Sequence, residues 1–247
     1  AALLASRFAK KINSVHYCWI CGQDARAGNR MVHTIKPEPE ELVAISDSAA
    51  ALFKRNYNIQ PARTIYPGID PALFDEPPAT KTIDLLAAGS LVPLKQLHIF
   101  IDLVDRIRKT RPSLLAVVAG DGPERKKLEQ LVHEKNLGAH IRITGELPYT
   151  QLLNLMQQSR ILVHPSSYEG FGMVQAEALF AGCAVVSFVQ PVAKEIPGWN
   201  SVTDTEAMFE KTAQLLNNEP PAALSPFPFL INETAAAFIR LAAQARH

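Results

Sequence analysis

The chain has 247 residues, of which 47% are hydrophobic, and carries 25 Lys and Arg against 24 Asp and Glu. That supports one large core or two smaller ones and excludes intrinsic disorder, while a net charge of +1 excludes a global field that would recruit nucleic acid or an anionic membrane. The longest apolar runs, such as 184–189 and 114–119, fall far short of the ~20 residues of a membrane-spanning helix. The first eleven residues lack the basic start and sustained apolar stretch of a signal peptide. Ala1 is not an initiator Met, so a fragment is expected, and the three cysteines, which read as reduced and structural, make a cytoplasmic protein the expectation.

In chain order, residues 1–60 offer a helix-like start, a strand over 15–20 and a helix over 48–57. The strand leads through Cys18 to Cys21. Residues three apart on a strand point to opposite faces, so these thiols are not placed to share a metal or to bridge. No second Cys pair or His pair completes a zinc site, and reduced, structural cysteines are expected. Residues 66–70, Tyr-Pro-Gly-Ile-Asp, and 76–78, Glu-Pro-Pro, read as a linker.

From Thr82 onward short apolar runs alternate with longer helical patterns, the signature of βαβ units and a parallel sheet. A strand over 83–88 ends at Gly89. The helix after it carries Leu97, Phe100, Ile101, Val104 and Ile107, the spacing of one buried face. A strand over 114–119 runs into Gly120-Asp121-Gly122-Pro123, with Pro123 suited to the first turn of a helix through about 136. Strands follow over 141–144, 161–164 and 184–188, separated by a helix over 150–158 and a glycine-rich helix entry at 168–179. A helix over 204–216, a proline-rich stretch over 219–228 and a helix over 233–246 close the chain.

Gly89, Gly120, Gly145 and the segment 165–172 all fall at carboxyl ends of strands, which in a parallel sheet share one edge and form one ligand crevice. In 168–179, Glu169 and Glu177 flank Gly170 and Gly172 at the start of an amphipathic helix. Glycines free the backbone to approach a ligand, and a helix amino end offers N–H groups to an anion. An ionised carboxylate only accepts, so Glu177 suits sugar hydroxyls better than phosphate. The ordinary alternative is a surface loop before a Glu-bearing helix; the glycines and the preceding strand favour a site.

Other motifs weigh less. Gly120-Asp121-Gly122 lacks the third glycine of a dinucleotide fingerprint, since Arg125 stands there. His164 reads as a packed or hydrogen-bonded strand-end histidine, and Ser166 and Ser167 as loop or capping residues. No Ser-His-Asp or Asp-x-Asp pattern is visible, so chemistry without a metal or a cofactor is expected. Glu169 and Glu177 do not read as a hydrolase pair, because Glu177 lies inside the helix rather than across a sugar at the ~5 to 9.5 Å that hydrolysis needs.

These residues resemble the donor-binding half of a GT-B retaining glycosyltransferase of the group 1, or family 4-like, kind, which includes sucrose synthases and many bacterial mannosyl and glucosyl transferases. The resemblance spans about 46–216. It rests on Glu169 and Glu177 within PSSYEGFGMVQAEAL, on Tyr66 to Asp70, on Leu91-Val92-Pro93-Leu94-Lys95, on Gly120 to Pro123 and on Ala181 to Val186, with Glu195 similar to an acidic residue of a later loop. It implies an α/β fold, a Rossmann-like parallel sheet with helices on both faces, plus a partial N-terminal segment. The implied divisions are 1–65 as a remnant of the acceptor domain and linker, 66–218 as the nucleotide-sugar domain, and 219–247 as a C-terminal linker and helix.

By resemblance, Lys95 contacts the donor diphosphate and, with Glu169 at the sugar, is catalytic. Gly170, Phe171, Gly172, Met173 and Val174 line the phosphate and sugar, with the amides of Gly172, Met173 and Val174 as donors. Glu177 binds ribose, Gly145 and Glu146 lie at the nucleobase, and Gly120 and Ser90 complete the donor site. The implied partners are a UDP- or GDP-sugar as substrate and a carbohydrate or glycolipid acceptor, with peripheral membrane association only through a missing N-terminal domain.

Two departures stand out: the larger is in the acceptor-binding domain ahead of the linker, of which only the last strand and helix are expected here, and the other is in the loop after the first strand. The family's Gly-Arg-Leu is here Gly89-Ser90-Leu91, which removes a positive partner of the leaving group; loss of one such group costs ~2.7 to 4 kcal/mol of barrier. Gln96 replaces a glycine, expected to be a lesser change because helix starts tolerate Gln. The resemblance therefore leaves two readings, a retaining transferase and a catalytically weak or truncated nucleotide-sugar-binding module. An epimerase or phosphorylase is disfavoured by the closeness of the glutamate motif.

Overall fold

The computed structural model describes residues 8–9, 11–12, 14–76, 78, 80–218 and 227–244. Most of the proline-rich stretch 219–228, and the last residues of the helix expected to reach 246, lie outside them. Two parallel sheets organise the rest. The larger has six strands: β4 (Ile83–Ala88), β5 (Ala116–Ala119), β6 (Ile141–Ile143), β7 (Ser159–His164), β8 (Ala184–Ser187) and β9 (Trp199–Ser201). Their spatial order is β6-β5-β4-β7-β8-β9. It reverses between β4 and β7, the switch point at which open α/β sheets form a crevice.

Alternate residues of these strands feed two cores. Leu86, Ala88, Val117, Leu162 and Val185 pack with α5 (Tyr149–Gln157) and α6 (Met173–Phe180) on one face. Leu85, Ala87, Val118, Val163 and Val186 pack on the other with α3 (Leu97–Ile107), α4 (Arg125–Glu134) and α7 (Thr205–Asn217). Burial on both faces is why the strands read as near-continuous apolar runs. The expected Rossmann-like sheet with helices on both faces is thus observed. The strand expected over 114–119 begins at Ala116, and β9 was not expected at all.

The smaller sheet orders β1 (Cys18–Ile20), β2 (Leu42–Ala44) and β3 (Arg63–Thr64), all parallel. Only β1 and the helix α2 (Asp47–Tyr57) on this sheet were expected; β2, β3 and the short α1 (Arg30–Ile35) were not. Alternation along the strands divides the sheet's packing. Ile20 and Leu42 face Phe53 of α2, whereas Trp19 and Val43 face Phe238 and Leu241 of the last helix, α8 (Ile231–Gln244). Trp19 and Phe238 meet edge-to-face at 5.0 Å. The carboxyl-terminal helix therefore returns to the amino-terminal sheet. The segment 66–70 is pinned beside it, with Ile69 N–H donating to Phe229 O at 2.8 Å and Ile231 N–H to Ile69 O at 2.9 Å. Among the described residues no helix is long and apolar enough to cross a membrane.

Candidate donor site at the carboxyl edge of the six-stranded sheet

The loops after β4, β5, β6 and β7 meet through their own backbones. Leu91 N–H donates to Asp121 O at 2.9 Å, Gly120 N–H to Gly145 O at 2.9 Å, and Ser167 N–H to Leu94 O at 3.1 Å. A side chain at 120 would collide with the carbonyl of Gly89, so glycine there serves the approach of two loops. Together the loops leave a cavity of about 290 Å³ lined by Gly89, Ser90, Gly120, Asp121, Glu146 and Leu147, among others. Ser90 thus presents a small hydroxyl where the resembled family has a guanidinium. Arg125 lies beside Gly145 but is held by Asp121 at 2.6 Å and Glu129 at 2.8 Å.

Lys95 ends a 3-10 turn over Pro93–Lys95, and its Nζ donates to Glu169 Oε1 at 2.6 Å. The next residue, Gln96, adopts φ 48° and ψ 40°, the left-handed region. Gln96 remains the lesser of the two changes, but not because helix starts tolerate Gln: the position makes the sharp turn from the 3-10 segment into α3, a conformation that costs a non-glycine residue ~1 to 2 kcal/mol. His164, the last residue of β7 and only 3% exposed, places Nε2 2.7 Å from the same Oε1. Burial by itself would raise the Glu169 carboxyl, but the hydrogen bond from His164 and the ammonium of Lys95 outweigh it and hold it at about 2. Burial also pushes His164 below its ordinary value, which favours the neutral imidazole. An ionised carboxylate only accepts, and Nε2 therefore carries the proton.

Glu177 lies two turns along the same motif in different surroundings. Buried on α6, it accepts from Tyr149 OH at 2.9 Å, and burial raises its carboxyl above the ordinary range while the phenol partly offsets that rise. Tyr149 was not singled out from the sequence. Its partner is 28 positions away, and nothing local signals the pair. Gly172 caps α6 without a side-chain bond, and the first turn holds no acidic residue. The N–H groups of Met173 and Val174 meet no protein acceptor among the described residues. Behind them, fully buried Gln175 has neither amide atom hydrogen-bonded.

Gly170 has a use the motif did not disclose. Its backbone abuts Gly22 of the amino-terminal segment so closely that a Cβ at 170 would sit 2.8 Å from Gly22 Cα. Tyr168 OH donates to Gly22 O, Ser46 Oγ donates to Gly170 O, and the Arg26 guanidinium lies 4.9 Å from the centre of the Tyr168 ring. Asp47 accepts from Ala193 N–H and from Tyr66 OH, each at 2.8 Å. The amino-terminal segment thus covers the outer side of the motif. Phe171 is buried against Tyr66 and Phe229 rather than lining the cavity. Glu195 is exposed in the loop after β8. Among the described residues no group of three His, Cys, Asp or Glu side chains is placed to hold a metal.

A Rossmann-like parallel sheet with a cavity of about 290 Å³ among the loops at the carboxyl ends of its strands, and the Lys95–Glu169 pair in the neighbouring β7 loop, places the chain in the class of open α/β folds that take ligands along that edge. The sequence profile of the glycosyl transferases group 1 matches residues 70–223, and the chain belongs to that family. A glycogen synthase of Mycobacterium tuberculosis is 30% identical over 183 residues, covering 70% of this chain and 43% of that protein. The chain therefore spans less than half the length of this relative. Among solved structures, a point mutant of S. aureus TarM in complex with fondaparinux, α-GlcNAc-glycerol and UDP superposes with a TM-score of 0.72 at 17% identity, over 96% of this chain and 53% of that one. The pneumococcal O-GlcNAc transferase GtfA, in complex with UDP and GlcNAc, gives 0.68 at 17% identity, over 83% and 45%. These likenesses carry the fold, which is that of the GT-B glycosyltransferases.

Proposed function

We propose that this chain forms the donor wall of a retaining glycosyltransferase that moves a sugar from a UDP- or GDP-sugar to a carbohydrate or glycolipid acceptor. The observation that carries the reading is the setting of Lys95, Glu169 and Glu177 around the open amino end of α6. In this reading the diphosphate takes the N–H groups of Gly172, Met173 and Val174 together with Lys95, Glu177 takes the ribose, and the base lies by Gly145 and Glu146. The C1–O bond to the phosphate breaks with its electron pair leaving on the diphosphate. The acceptor oxygen bonds to C1 on the same face, and its proton passes to the departing phosphate. Charge on the leaving group is balanced by Lys95 and the helix end, without a metal or a cofactor.

Ser90 on the cavity wall supports a second reading, a module that binds nucleotide sugar with little turnover. Calorimetric titration with UDP, GDP and their glucose and mannose conjugates tests the shared premise. Binding of at least one, weakened roughly tenfold by Glu177→Ala, is expected from the loss of charge-assisted hydrogen bonds. No binding, with Glu177→Ala indistinguishable from wild type, refutes the donor site. Ser90→Arg is expected to tighten nucleoside diphosphate binding, and a loss on that substitution shows that the β4 loop does not face the phosphates.

A further inference from the structure

We propose that His164 is a positioning residue for Glu169: its Nε2–H and the Lys95 ammonium pin Oε1 from two sides and leave Oε2 as the oxygen that meets the donor sugar. The proposal rests on the donor-site reading above. Its geometry does not, since both contacts converge on one atom, at 2.7 and 2.6 Å, and Oε2 has no protein donor among the described residues.

The imidazole is held firmly. His164 is the last residue of β7 and pairs in register with Ser187 of β8, so its backbone is fixed by the sheet, and its ring is almost wholly buried. The charged groups that face it are Lys95, from the loop after β4, and Glu169 itself. A neutral imidazole has a single N–H, and here it is committed to the carboxylate. Lys95 alone could not do this, because a flexible ammonium holds a carboxylate as a point charge without fixing its plane. Two donors on Oε1 set the plane of the carboxyl group before any ligand arrives, which lowers the ordering cost of binding. Conventional strand-end packing would bury the ring but would not place Nε2 on the same carboxylate oxygen that Lys95 holds.

Nitrogen NMR of the wild-type chain between pH 5 and 8 tests the bond directly. Nε2 that carries its proton throughout is expected; an Nδ1–H tautomer with a bare Nε2 overturns the proposal. Calorimetry then separates position from structure. His164→Leu should weaken a nucleotide sugar roughly tenfold, the effect of one hydrogen bond to a charged group, and leave the nucleoside diphosphate unchanged. His164→Gln, which restores an N–H donor without a titrating ring, should return most of that affinity. Equal losses for both ligands, or no rescue by Gln, make His164 structural and overturn the positioning role alone. Wild-type protein that binds neither ligand overturns the donor-site reading and the positioning role with it.

Discussion

Glu169 and Glu177 stand eight residues apart in one motif, yet the β7 loop and the α6 helix put them in opposite electrostatic surroundings. Glu169 has an ammonium and an imidazole N–H on a single oxygen, and its carboxyl falls to about 2. Glu177 has one phenol, and burial raises its carboxyl. A carboxylate that must stay charged beside a reacting sugar needs cations or donors. One that binds hydroxyls needs only to accept, and a protein can bury it with few partners. The spacing of the two glutamates is a matter of sequence, and the opposite shifts of their carboxyls are a matter of which neighbours the fold delivers.

The sharpest way to break this contrast is to remove what distinguishes the first glutamate. Lys95→Met leaves Glu169 with His164 alone and withdraws the ammonium from the phosphate side, so nucleoside diphosphate affinity should fall by roughly 10- to 100-fold by calorimetry. Stability should fall by about 2 kcal/mol in urea unfolding, between the values for exposed and buried ion pairs. An unchanged affinity would mean that Lys95 serves only Glu169.

Next in size is the dependence of stability on pH. The folded value of Glu169 lies below its ordinary 4.5, so its stabilisation is fully present above that pH and is lost as pH falls toward 2. For Glu177 the folded value lies above 4.5, so its burial costs stability as pH rises through the raised value. At pH 7, Glu169→Gln should therefore destabilise the chain and Glu177→Gln should stabilise it. Urea midpoints that move in the same direction for both would erase the contrast. The smallest effect is expected at Gln96→Gly, which relieves the left-handed strain after Lys95 and should add about 1 kcal/mol to stability. A loss there would show that the Gln side chain contributes more by its contacts than it costs by its backbone.

Strands β4, β5, β7 and β8 were legible because burial on both faces writes them as apolar runs between glycines. Strands β2, β3 and β9, two or three residues long and paired with a neighbour, were not; β1 and β6, equally short, were read from the β-branched and aromatic run at 15–20 and from the alternation of strands with helices. The placement of α8 was likewise hidden: its amphipathic pattern predicts a helix and says nothing of Trp19 waiting on another sheet. In the candidate site, the glutamates and the helix entry were legible from their spacing, and Lys95 only through the family resemblance. His164 was visible as a strand-end residue with its partner unnamed.

By itself, then, the sequence determined the alternation of strands and helices, the shared edge on which their loops fall and the residue types gathered there. These follow from local periodicity, turn chemistry and the rule that parallel strands align their carboxyl ends. Only the tertiary structure decided the direction in which each glutamate's carboxyl is shifted and the use of Gly170 as a seat for Gly22. Those depend on atoms from residues 74, 28 and 148 positions away (Lys95 from Glu169, Tyr149 from Glu177, Gly22 from Gly170), and electrostatic and steric effects act through space at a few ångströms, whatever the distance along the chain.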